Sequence, residues 1–228
     1  MALLGRAAIA MWWDISPERK AEFEDWHSHE HLPERLAIPG FNRGSRWAAA
    51  DGGTGFFVLY ELDDYATLTS PQYLERLNRP SPWSTQLMPL HRNMVRSQCR
   101  VVATAGAGVA RAMLTLRLSP RAGAGDRVRE FLVEQARKIA AHAGTTAAHL
   151  LQTESPDIAL TTEQRIRGGR DPSADWIFLA GGYDLAALQA LRSGELSDDA
   201  LLRQGAEDGI QAGLYILSHS YTPAPATR

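Results

Sequence analysis

The 228-residue chain has a single cysteine, Cys99, which excludes an intrachain disulfide framework and fits a reducing compartment. Lysine is nearly missing: Lys20 and Lys138 are the only two, and arginine supplies the rest of the basic charge. The net charge of -2 leaves no basic field to attract nucleic acid or anionic lipid. No apolar run reaches the roughly 20 residues of a spanning helix. The apolar start "MALLGRAAIAMWWDIS" is broken by Arg6 and Asp14, unlike an export signal. The glycine-rich pieces "DGGTG" and "GAGDR" lack the strand-to-helix context of a phosphate loop, and no serine or cysteine nucleophile motif is present. These absences describe a soluble, cytoplasmic protein without nucleic-acid or membrane partners. At 44% hydrophobic and 22% charged residues it has an ordinary globular composition.

The pattern of elements is α+β. Ala7 to Asp14 reads as a buried strand, and Ser16-Pro17 as the start of a helix ending near Leu32, since Pro33 disfavours helical geometry at the residue before it. "FNRGSRWAAA" and "GFFVLYEL" read as a hairpin about Asp51-Gly52-Gly53. Asp63 to about Arg76 reads as a second helix, followed by irregular Pro-rich sequence and the strand "NMVRSQCRVVAT". That order, βαββαβ, is ferredoxin-like. After the linker candidate at residues 105–108 it starts again: "VARAMLTLRL", a helix from Asp126 to about Ala143, "TAAHLLQTE", "DWIFLAGGY", "DLAALQALRSG" and "AGLYILSHSY". We expect two tandem ferredoxin-like units with antiparallel sheets, at residues 1–104 and 109–222. A polar surface loop spans 155–174, and a disordered tail 223–228. Such sheets carry helices on one face, so the other is covered within the chain or by a second subunit; a homo-oligomer is expected.

Three of seven histidines fall in "WHSHEH", residues 26–31. At 100° per residue from Phe23, Trp26 and Glu30 lie inside the apolar stripe, His27 and His31 flank it, and His29 faces away. A carboxylate in an apolar stripe is costly unless paired. Its candidate partners are the helix's own histidines, Arg35 and Arg46. Two readings stay open. In one, Glu30 and His31 fasten the helix end; in the other, His31 is a general acid or base whose tautomer Glu30 fixes. A His27/His31 pair at helical spacing could ligate a metal, yet no further ligand cluster accompanies it, so no metal is expected.

The stretch "FEDWHSHEHLPERLAIPGFNRGSRW" resembles the first-helix signature of the dimeric α+β barrel superfamily, in particular EthD-like and related stand-alone barrels. The matching positions are Trp26, Glu30, His31, Leu32, Pro33, Pro39, Gly40, Phe41 and Arg46. The close match covers residues 9 to about 62. The resemblance implies a helix-one histidine bordering a cavity between helix and sheet. It also implies a range of chemistries: cofactor-free monooxygenases acting on polyketide-like phenols, isomerases, dehydratases and haem proteins. The expected function is a cofactor-independent enzyme for a small hydrophobic or aromatic ligand, with His31 and Glu30 catalytic. Trp26, His27, Arg46, Trp12, Trp13, Trp47 and Tyr60 are the binding candidates. A non-catalytic ligand-binding barrel is the alternative. Haem binding is a further one, for which His142 and His149 carry no axial-ligand mark.

Overall fold

The computed structural model describes residues 3–223, so most of the expected tail lies outside the described residues. Eight antiparallel strands close into one barrel. The first half supplies β1 (Ala7–Asp14), β2 (Phe41–Ala49), β3 (Gly55–Leu62) and β4 (Arg92–Gly106). The second supplies β5 (Ala112–Leu118), β6 (Thr145–Thr153), β7 (Trp176–Gly182) and β8 (Gln211–Tyr221). Each half has helices after its first and third strands, and the second half adds a short helix between its second and third strands. The halves join at two seams, β2 with β8 and β4 with β6, so the barrel closes within the chain and leaves no sheet edge. The expected linker is partly strand, because Ala105 and Gly106 pair with Ala148 and Ala147.

Strand alternation sorts the aromatic residues. On β1, Ala8, Ala10 and Trp12 face the barrel interior, where Trp12 stacks on Phe57 and Trp47 packs beside it. Ile9, Met11 and Trp13 face outward, under the helices. The interior is therefore filled by side chains. The binding candidates Trp12 and Trp47 pack into this interior, away from the helix-covered face of the sheet.

The first helical stretch is longer than expected. It runs through α1 (Lys20–Trp26), a π-helical turn (His27–His31) and α2 (Leu32–Leu36). Pro33 does not stop it. Proline lacks an N–H and clashes with the carbonyl four residues back. The wider π turn just before it, closed by Leu32 N–H on the His27 carbonyl, accommodates both defects. Between β3 and β4 lie α3 (Pro71–Asn78) and α4 (Pro82–Leu87), the latter in sequence read as irregular. The second half adds α5 (Gly125–Ala140), α6 (Thr162–Ile166), α7 (Leu185–Ser193) and α8 (Asp198–Gln204). Among the described residues no helix is long and apolar enough to cross a membrane.

Gly44 sets how closely α2 sits on the sheet. A Cβ there would lie 2.5 Å from Leu32 Cδ2 and 2.9 Å from Tyr60 Cε1. Gly44→Ala should therefore destabilise the protein by about 1–3 kcal/mol, the usual cost of overpacking. Urea denaturation measures this, and an unchanged midpoint would show that α2 is free to ride up.

Candidate functional site

The cavity lies on the outer face of the first-half sheet, beneath the π turn. Its free volume is about 40 Å3, room for no more than a few waters. Ile9, Met11 and Trp13 of β1 form part of the floor. The helical wall is Trp26, His27 and His31.

The π turn decides which side chains enter. It advances less rotation per residue than an α-helix, so His31 comes round into the buried stripe while Glu30 falls back to its edge. His27 and His31 are 1% and 8% exposed, with ring centroids 5.5 Å apart, and the His31 ring lies 4.5 Å from that of Trp26. His29 is exposed, as expected, beside Asp25.

Glu30 is half-buried and outside the cavity lining. Its Oε1 accepts from Trp26 Nε1 at 3.1 Å, from Ser84 Oγ at 3.3 Å and from Ser81 Oγ in a short bond. Those bonds fasten the π turn to the first turn of α4. The expected Glu30–His31 hydrogen bond is not formed: His31 Nδ1 is buried with no partner among the described residues. Arg46 is also placed elsewhere. It donates to Ser218 Oγ at 3.1 Å and the Glu24 carbonyl at 3.3 Å, over the Phe23 ring and away from the cavity wall. Trp26, His27, Trp13 and Tyr60 do line the cavity, the last two from the helix-covered face of the sheet.

Several lining residues escaped the sequence reading. His91, just before β4, reaches the cavity, with its ring 5.0 Å from Trp13 and its Nδ1 3.0 Å from the Met88 carbonyl. Tyr73, from α3, and Arg96, from β4, join it, the Tyr73 hydroxyl accepting from Arg96 at 2.6 Å. The largest surprise is the polar loop 155–174. It is no free surface loop. It folds across the first half and carries α6, whose Glu163 forms a short ion pair with Arg35. Arg35 and Glu163 are each 4% exposed. Arg167 sits 3.9 Å from the same carboxylate and pairs with Asp171 at 2.7 Å. The loop is anchored by Arg96 N–H on the Pro172 carbonyl at 2.8 Å and Thr162 N–H on Asn78 Oδ1 at 3.0 Å.

Burial, reinforced by the Arg46 charge, holds His27 well below the ordinary imidazole range. Burial and the Arg35 charge do the same for His31, and burial pushes His91 down to about 4. All three rings are therefore neutral at pH 7. Burial raises the Tyr60 hydroxyl, which stays a phenol. Burial also opposes the Arg35 charge, but the Glu163 carboxylate outweighs it and keeps the guanidinium protonated.

Six polar atoms of cavity-lining residues are buried without a hydrogen-bond partner among the described residues: Trp13 Nε1, both His27 nitrogens, His31 Nδ1, Arg35 Nη1 and Tyr60 Oη. A buried unpaired polar group costs about 1–3 kcal/mol. These are the polar groups that water or any other guest in the hollow would meet. Among the described residues no three His, Cys, Asp or Glu side chains converge as metal ligands. His149 points into the packed barrel, 4% exposed, with Nδ1 2.9 Å from Thr104 Oγ1. His142 is exposed at the end of α5.

No protein-family profile and no curated protein matches the chain. Solved structures do. An anthrone oxidase-like protein superposes with a TM-score of 0.66 at 12% identity, covering 95% of this chain and 93% of its own. A candidate monooxygenase from Fusobacterium nucleatum gives 0.63 at 7% identity, covering 96% of both chains. A candidate monooxygenase from Lactobacillus acidophilus gives 0.56 at 9% identity, covering 95% and 96%. These likenesses run the length of the chain, and its fold is that of the ferredoxin-like α+β barrel.

Proposed function

We propose that the protein is a small-molecule enzyme that removes a proton from a hydrophobic, phenol- or carbonyl-bearing substrate in the cavity beneath the π turn, without a bound cofactor. The observation that carries this is the set of neutral, unpartnered imidazoles facing an apolar hollow beside a buried arginine. A neutral histidine can accept a proton, and His31 is the base. The unused Nη1 of Arg35 and the Tyr60 hydroxyl are donors for the oxyanion that remains on the substrate. Glu30 then acts as a positioning residue, holding the π turn that presents His31. The anion so formed can reprotonate elsewhere, expel a leaving group or give electrons to dioxygen. The names of the similar anthrone oxidase-like and candidate monooxygenase structures favour the last. The motif Glu30-His31-Leu32-Pro33 supports the closer likeness to EthD-like proteins. A ring-sized substrate needs more room than the hollow offers, so the loop bearing α6 has to shift as it enters.

The test is oxygen uptake and product formation with a panel of hydroxylated anthrones. His31→Ala should lower turnover about 10²- to 10⁴-fold, the usual worth of a positioned base, with little change in melting temperature. Turnover equal to the parent's would reject His31 as the base. Glu30→Gln should lower turnover less and also reduce stability, because it weakens the bonds to α4.

A further inference from the structure

A second, polar cleft lies under the loop that covers the cavity. Its volume is about 80 Å3. Two acids line it, and both are already neutralised. Glu154 forms a short pair with Arg100, and Asp171 takes Arg167 at 2.7 and 3.0 Å. The two lining cations differ. Arg96 is held by neutral oxygens, Gln98 Oε1 at 3.1 Å and the Tyr73 hydroxyl at 2.6 Å. Among the described residues Arg170 hydrogen-bonds only to the Ile158 carbonyl, at 3.2 Å. Gln98 adds an amide nitrogen, Nε2, buried with no acceptor. The cleft thus presents two guanidinium groups and an orphan N–H donor, and its own carboxylates are spent on other arginines.

Arg96 lines this cleft and the histidine cavity as well. A molecule could therefore place an apolar body in one and an acceptor group in the other, with Arg96 at the junction. We infer that the cleft binds an oxyanion, the carboxylate or phosphate tail of a substrate whose apolar body enters the histidine-lined cavity. This rests on the proposed function for the location of the body, and it adds the substrate class: an amphipathic acid instead of a neutral aromatic. Guanidinium pairs with either oxyanion through charge-assisted, often bidentate bonds. The two sources share one chemistry and are separated by experiment.

Isothermal titration calorimetry on the full chain compares three probes: 3-phenylpropanoate, its neutral amide 3-phenylpropanamide, and 2-phenylethyl phosphate. The acid should bind at least tenfold more tightly than the amide, with the preference shrinking as salt is raised. Whichever of carboxylate and phosphate binds more tightly identifies the tail. Arg96→Gln with Arg170→Gln should cut the preference below threefold, and Arg170→Gln alone, outside the histidine cavity, should leave amide affinity unchanged. Arg170 lies on the exposed side of the loop, so Arg170→Gln alone gives a partial loss even if the Arg96 variant folds poorly. Equal binding of all three probes by the parent overturns the oxyanion cleft and spares the cavity. An anion preference that survives in the double variant overturns the assignment to these arginines. No binding of any probe overturns both the cleft and the proposed function.

Discussion

Glu163→Gln lowers the melting temperature by about 6–20 °C: breaking a buried ion pair costs about 3–5 kcal/mol, and each kcal/mol shifts a domain of this size by about 2–4 °C. The magnitude follows from what stays behind. Arg35 is 4% exposed, and only Glu163 offers it a carboxylate at ion-pair distance among the described residues. A neutral amide keeps the shape and one acceptor but leaves a full positive charge in an apolar wall. Arg167 does not suffer equally, because Asp171 still holds it. The pair also joins the two halves at a point 128 residues apart in sequence, so its loss frees the loop that covers the cavity. Limited proteolysis should then cut within 155–174 in the variant and not in the parent. The control is Arg35→Met with Glu163→Leu. Replacing both charges by apolar groups of similar size is often neutral, so this double variant should recover most of the melting temperature. A Glu163→Gln protein that melts within about 2 °C of the parent would mean that the pair is hydrated and the loop undocked.

Much of this arrangement can be read from the amino-acid order, and what cannot has definite physical reasons. The strands are legible because one face packs under helices and the other inside the barrel, so β1 and β3 are apolar except for Asp14 and Glu61 and are bounded by turn residues. Ser16-Pro17 marks the entry to the first helical stretch. The reading goes wrong at one residue's worth of rotation. Angles counted at α-helical pitch place Glu30 inward and His31 at the flank, but the π turn forced by Pro33 exchanges them. A proline that ends a helix by rule can instead be tolerated by a wider turn, and no periodicity signals which will happen. Glu163 was out of reach for another reason. It sits in a glycine- and arginine-rich stretch without hydrophobic period, and its partner is in the other half of the chain. One local clue was present: Thr161 and Gln164 form a capping box, which marks a helix start inside what looked like loop. Barrel closure was legible only as a need, since an uncovered sheet face does not say which strand covers it.

Acid should unfold this protein at a milder pH than carboxylate titration alone would require. His27, His31, His91 and His149 all have folded values below the ordinary 6.5, each lowered first by burial, and for His91 and His149 the value is about 4. Between pH 6.5 and 4 the unfolded chain therefore binds protons that the folded chain refuses. Stability is complete above about pH 6.5 and drains as pH falls, by about 1.4 kcal/mol per pH unit for each such group. For His149, 4% exposed in the barrel interior, that is about 2 kcal/mol by pH 5 and about 3 by pH 4. His91 and His149 together lose about 4 kcal/mol by pH 5, and His27 and His31 act in the same direction. Urea midpoints measured from pH 7.5 to 4.5 should fall steeply below 6.5, with about two protons taken up on unfolding near pH 5 by His91 and His149 alone. His149→Gln should remove about one of them. A midpoint that stays level from pH 7.5 to 5 would mean that the rings are hydrated in the folded state. The same imbalance shapes the activity profile. An imidazole that refuses protons in the folded state stays competent as a base well below pH 6.5, so turnover should hold level with falling pH until the fold itself gives way.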